Sequence, residues 1–103
     1  MSKFVLIFSG GYPKPEDQVA HMKEWEVWNN KLVDGGVVDS GFPFGRDNKV
    51  VTGPENTVSD YKGYSTGYMV VNADSMDDAI AIAKDAPHQK LGGRTKVFWT
   101  MTM

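Results

Sequence analysis

At 103 residues, 41% hydrophobic and 23% charged, the chain has the composition of a globular domain, with room for one core and none for a separate ligand-binding module. A net charge of -2 gives no electrostatic footing on nucleic acid or an anionic membrane, so neither is expected as a partner. The absence of cysteine excludes disulfides, thiolate catalysis, cysteine-based zinc sites and iron–sulfur clusters.

Lys3 to Ser9 places Phe4, Val5, Leu6, Ile7 and Phe8 in succession, the pattern of a central strand covered on both faces. The run breaks at Ser9-Gly10-Gly11 after about six residues, too short for a signal sequence or a membrane span, so a cytoplasmic protein is expected. Gly10 to Pro15 reads as a turn. Pro15, Glu16 and Asp17 suit a first helical turn, because proline lacks the orphan amide and the acids complement the helix dipole. In the helix that follows, Val19, Met22, Trp25, Trp28, Leu32 and Val33 share one broad face, and Gly35-Gly36 ends it.

Val37 to Phe44 alternates, with Val38, Ser40, Phe42 and Phe44 on one side and Val37, Asp39, Gly41 and Pro43 on the other. Pro43 suits an edge strand, where its missing N–H faces no neighbour. Gly45 to Asn48 reads as a hairpin turn with Lys49 to Thr52 as a short return arm, and Gly53 to Gly63 as a loop able to cover a cleft. Thr66 to Ala73 is an inner strand rich in Val, Tyr and Met. Ser75 is then a natural N-cap, with Asp78 completing a capping box. Met76, Ala79, Ile80 and Ala83 give the next helix its apolar face, and Pro87 stops it. Lys96 to Met103 is the last strand.

The order is β-α-β, a hairpin arm, then β-α-β. Two such halves combine most simply as an α+β, ferredoxin-like split βαβ domain, an antiparallel sheet with two helices on one face. Apolar residues occupy both sides of the strands: Phe4, Leu6 and Phe8 against Val5 and Ile7, and Tyr68 and Val70 against Met69 and Val71. Helices cover only one side. A second copy is the simplest cover for the other, which predicts a homodimer packed sheet to sheet.

Met22-x-x-Trp25, Gly35-Gly36-Val37-x-x-x-Gly41, the stretch Gly67 to Ala79, Ala86-Pro87-His88 and Gly92-Gly93 together resemble the YCII-related (DGPF-domain) family over nearly the whole chain. The resemblance implies a dimeric α+β barrel with an enzymatic cleft, in which some members carry a His-Asp pair. The Asp-Gly-Pro-Phe segment is absent, and Val58-Ser59-Asp60-Tyr61-Lys62-Gly63 stands there instead. The helix histidine of some members falls nearer Glu24 or Trp25 in register than His21.

Two histidines are the candidates for proton transfer near neutral pH. His88 follows the second helix, whose C-terminus favours an imidazolium; the alternative is a histidine that caps the last carbonyls. His21 lies one turn before Trp25, where it either packs beside the indoles or sits half in water. Asp39 belongs to the strand face assigned to the dimer interior, where a carboxylate must be paired, solvated in a cleft or protonated; the alternative is a solvent-facing aspartate. His88, His21 and Asp39 are therefore the candidate catalytic residues.

Trp28, Tyr61 and Tyr68 are the candidate substrate contacts, with Tyr64 beside them, although tryptophans in such a helix more often fill a core. No His-x-x-x-His, facial-triad or EF-hand spacing occurs, and Gly10-Gly11 lacks the remaining residues of a phosphate loop, so no metal or cofactor is expected. The reading that results is an enzyme without cofactor, moving protons in an isomerisation or elimination on a small aromatic or enolisable acid. The alternative is a non-catalytic module that binds a small molecule or a protein.

Overall fold

The apolar run at the N-terminus becomes β1 (Ser2–Ser9), an inner strand of a four-stranded antiparallel sheet. The structure is a computed structural model that describes residues 1–61, 63 and 65–101. A short 3-10 turn (Pro15–Asp17) leads into α1 (Gln18–Asp34), followed by β2 (Val38–Pro43), β3 (Lys49–Thr52), β4 (Thr57–Asp60), β5 (Ser65–Ala73), α2 (Met76–Lys84), a 3-10 turn (Gln89–Leu91) and β6 (Arg94–Trp99). The order across the main sheet is β2-β5-β1-β6, with every neighbouring pair antiparallel. This is the ferredoxin-like arrangement.

Strand alternation separates two sheet faces. Phe4, Leu6 and Phe8 of β1 and Met69, Val71 and Ala73 of β5 are buried with Trp28 of α1 and Ala79 and Ala83 of α2 in one core. Val5, Ile7 and Val70 alternate with these and are only half-buried, while Phe98, opposite Val5, is exposed. The second helix starts as its sequence requires: the Ser75 hydroxyl accepts from the Asp78 amide at 3.2 Å. Among the described residues no helix is long and apolar enough to cross a membrane.

Several expectations need correction. The first concerns the face of α1, where His21 and Trp28 are buried and Trp25 and Leu32 half-buried, while Val19 (83% exposed), Met22 (71%) and Val33 face outward. The expected face holds both indoles together with Val19, Met22 and Val33, and leaves His21 at its border. Burying two indoles removes more apolar area, and it turns the inward stripe towards His21 at the expense of Val19 and Met22.

The second is the register of β2, which breaks between Val38, opposite Val71, and Ser40, opposite Val70. Val38 thereby shares the helix-covered face with Gly41 and Pro43, and strict alternation fails at a bulge centred on Asp39.

The third is the arm. Lys49–Thr52 does not return along β2 but pairs with β4, in a separate two-stranded sheet that joins Val51 to Val58 and Lys49 to Asp60. Gly53 to Asn56 is its turn, with Asn56 at φ 59°, so the stretch expected to be a loop contains a strand. The last strand also starts and ends earlier than expected, at Arg94 and Trp99. Lys62, Tyr64, Thr102 and Met103 lie outside the described residues.

Candidate functional site

Where β1 ends, Gly10 and Gly11 both take the left-handed conformation at φ 67°, which turns the chain sharply before α1. This turn, the first half of α1 and the adjoining ends of β2 and β5 enclose a cleft of about 630 Å³. Phe8, His21, Trp25 and His88 line its inner end, and Tyr12, Met22, Phe42 and Tyr68 line it farther out.

His88 is 2% exposed, although it lies in the connection that follows α2. Gly11 and Gly93 make that burial possible. A Cβ on Gly93 would stand 2.4 Å from His88 Cδ2, and one on Gly11 would stand 2.4 Å from the His88 carbonyl oxygen. Phe8 meets the imidazole edge-on at 5.4 Å between centroids, and Trp25 leans across it at 5.2 Å and 30°. The Nε2–H donates to the Arg94 carbonyl at 2.8 Å, since a carbonyl can only accept. The Thr95 hydroxyl lies 3.2 Å from the same nitrogen and itself donates to Gln89.

That arrangement leaves the lone pair on Nδ1. Nδ1 is buried and has no hydrogen-bond partner among the described residues. Burial pushes the His88 pKa below the ordinary histidine value; the bond to Arg94 opposes the shift in part and the charge of His21 adds to it. The imidazolium expected from the helix C-terminus is therefore not the favoured form. Nor does the ring cap α2, because its polar contacts go to the start of β6 and not to the last carbonyls of the helix.

His21 is also buried, which corrects the boundary position, half in water, weighed for it. Its Nε2 accepts from the Trp25 indole N–H at 3.1 Å, so the neutral ring carries its hydrogen on Nδ1. Trp25 thus connects the two imidazoles, bonded to one and packed on the other. The two nitrogens turned away from their structural partners are complementary: His88 Nδ1 is an acceptor and His21 Nδ1 a donor.

Asp39 is not part of this arrangement. At the β2 bulge it accepts from Lys3 Nζ at 2.8 Å, and Lys3 also reaches Asn72; the pair is about half exposed. Such a surface ion pair contributes between zero and about 1 kcal/mol. Trp28 is likewise displaced from its expected role. It is buried in the core and borders a second groove, between the helices, where Lys90 pairs with Glu24 and holds that exposed carboxyl below its usual pKa. Tyr61 is exposed, and its amide donates to Asn48 at the base of the arm, outside the residues that line the cleft.

Tyr68 is a candidate contact that does border the cleft, with its ring stacked on Phe44 at 5.9 Å. Trp25, Tyr12 and the Gly10-Gly11 turn were not expected there. The glycine pair directly after a central strand was the available signal, since a strand that ends in two glycines frees space for a neighbouring side chain. Among the described residues no group of three His, Cys, Asp or Glu is placed to hold a metal ion.

No family model matches the chain, and no curated protein matches it. Among solved structures, it is similar to 5-chloro-2-hydroxyhydroquinone dehydrochlorinase (TftG) from Burkholderia phenoliruptrix AC1100, solved as a complex with 2,5-dihydroxybenzoquinone. The TM-score is 0.53 at 16% identity, over 92% of this chain and 89% of that one. An ACT domain protein from Streptococcus pneumoniae aligns at a TM-score of 0.42 and 17% identity, over 95% of this chain and 89% of that one. The first similarity shows the fold, an α+β domain with an antiparallel sheet.

Proposed function

We propose that the chain is a YCII-related enzyme that needs no cofactor and moves a proton on a small aromatic or enolisable substrate, in an isomerisation or an elimination. The observation that carries this reading is the unpartnered Nδ1 of a buried His88, whose other nitrogen is committed to a backbone carbonyl. A buried acceptor without a partner costs free energy, and a substrate O–H or acidic C–H supplies what it lacks. A low pKa keeps the imidazole unprotonated near pH 7, the state a general base requires.

His21 Nδ1–H is the group proposed to hold or reprotonate a substrate oxygen. Trp25, half-buried and leaning over His88, is the side chain that moves for a substrate to reach Nδ1. The described geometry gives Asp39 no share in the step. The fold likeness to an enzyme that removes chloride from a hydroxyhydroquinone is consistent with elimination chemistry on a ring.

The half-buried Val5, Ile7 and Val70 and the exposed Phe98 favour a second copy over the open face of the sheet, completing a dimeric α+β barrel. Sedimentation at micromolar concentration should give about twice the 11.4 kDa chain mass. A monomer at that concentration removes the dimer from the proposal.

The test of the activity is a thermal-shift screen of hydroxylated aromatic, enol and keto compounds against the protein, His88→Gln and His21→Gln. A ligand at a hundred times its Kd adds about 2.7 kcal/mol of stability. The expected result is a compound class that stabilises the protein and is turned over by it but not by His88→Gln. Binding with no turnover of any member of that class leaves the second reading, a small-molecule-binding module, in its place.

A further inference from the structure

Resting on the acid–base reading of the cleft, we infer that its ligand is an uncharged hydroxylated ring and not a carboxylate. Among the described residues that line the cleft there is no lysine or arginine, and Glu26 is the only charged side chain. The two histidines do not make up for this. His88 is held neutral by burial, and His21 uses its Nε2 lone pair to accept from Trp25. A carboxylate drawn in between Phe8 and Trp25 would lose its hydration and find no counter-ion among the described residues, with Glu26 repelling it at the rim.

A neutral phenol or enol meets no such obstacle. It enters uncharged, stacks on the aromatic walls, donates its O–H to His88 Nδ1 and accepts at a second oxygen from His21 Nδ1–H. The negative charge then develops only after entry, as the proton passes to His88. The pairing asks for two oxygen functions on one planar ring, one of them carrying hydrogen.

The test compares two probes that differ by a single carboxylate, 1,4-dihydroxybenzene and 2,5-dihydroxybenzoate, by calorimetry under nitrogen at pH 7.5, with benzylammonium as a cationic third. Glu26→Lys is the paired variant: Glu26 is exposed and among the described residues engages only Lys23, at 3.8 Å, so the substitution places a cation at the rim without touching the core. The dihydroxybenzene is expected to bind at least about tenfold more tightly than its carboxylate, and Glu26→Lys to narrow that gap by about tenfold.

A carboxylate that binds as well as the neutral ring overturns the inference and leaves the acid–base reading standing. So does benzylammonium binding more tightly than either. A gap that Glu26→Lys leaves unchanged removes charge as its cause and overturns the inference too. If no probe binds up to ~10 mM and the His88 ring resonances do not move, the inference falls together with the reading it rests on.

Discussion

Replacing Gly11 with alanine should lower the melting temperature by about 15 °C, whereas alanine at Gly92 should lower it by about 5 °C. Both glycines have a positive φ, 67° at Gly11 and 83° at Gly92, so both substitutions incur the left-handed penalty of roughly 1–2 kcal/mol. Only Gly11 is also crowded. A Cβ there meets the His88 carbonyl oxygen at 2.4 Å, His88 Cβ at 2.8 Å and Gly93 Cα at 3.0 Å, while a Cβ on Gly92 meets nothing within 4 Å. Two of those three atoms are backbone and cannot rotate away, so overpacking adds a further ~1–3 kcal/mol.

Gly93→Ala separates the two effects, since no positive φ is involved and its Cβ meets His88 Cδ2 at 2.4 Å and the His88 oxygen at 2.7 Å. It should fall between the other two, about 10 °C down. Differential scanning calorimetry of the three variants decides the matter. Equal losses at Gly11 and Gly92 would mean that β1 and the start of β6 do not clamp the histidine as described.

The clamp also marks where the sequence stopped being informative. Strands β1 and β5, the capped start of α2 and the edge position of β2 were legible because each rests on local chemistry: an unbroken apolar run, a serine three residues before an acid, a proline that no inner strand tolerates. The inward face of α1 was legible only in part: Trp25 and Trp28 were expected on it, but His21 was not, because its burial rests on the hydrogen bond it accepts from the Trp25 indole. A hydropathy wheel gives no weight to such a pair.

Asp39 shows the same limit from the other side. One extra residue in β2 decided the register, and Lys3, thirty-six positions away, took the carboxylate. The arm was misread because Gly53-Pro54-Glu55-Asn56 carries turn chemistry in the middle of a hairpin whose strands are only four residues each. His88 was named from its position after a helix, yet its neutrality comes from Phe8, Trp25 and two glycines that are remote from it or carry no side chain.

That neutrality sets the second large effect, on pH dependence. The folded-state pKa of His88 lies below the roughly 6.5 of an unfolded histidine, so below pH 6.5 the unfolded chain binds a proton that the folded one does not. The contribution of His88 is therefore complete above pH 6.5 and is lost as pH falls through the window between 6.5 and the lowered folded value. Within that window the loss approaches 1.36 kcal/mol per pH unit, the limit for one proton. His88→Gln keeps an amide N–H able to serve the Arg94 carbonyl but has no proton to gain, so urea denaturation of this variant should show a shallower decline between pH 7.5 and pH 5. A parallel decline in both proteins assigns the acid sensitivity to groups other than His88.

The same shift fixes the shape of catalysis. If neutral His88 is the base, kcat/KM for a turned-over substrate falls on the acid side with a midpoint below 6.5 and stays level from there to pH 8. His88→Gln should then lower kcat by about 100-fold or more while changing ligand affinity by only about threefold, because the glutamine oxygen can still accept the ligand O–H but cannot take its proton. An acid limb with its midpoint above 6.5 would put the proton on a different group, and an unchanged kcat would leave His88 as the buried post that Gly11, Gly93 and Trp25 pack against.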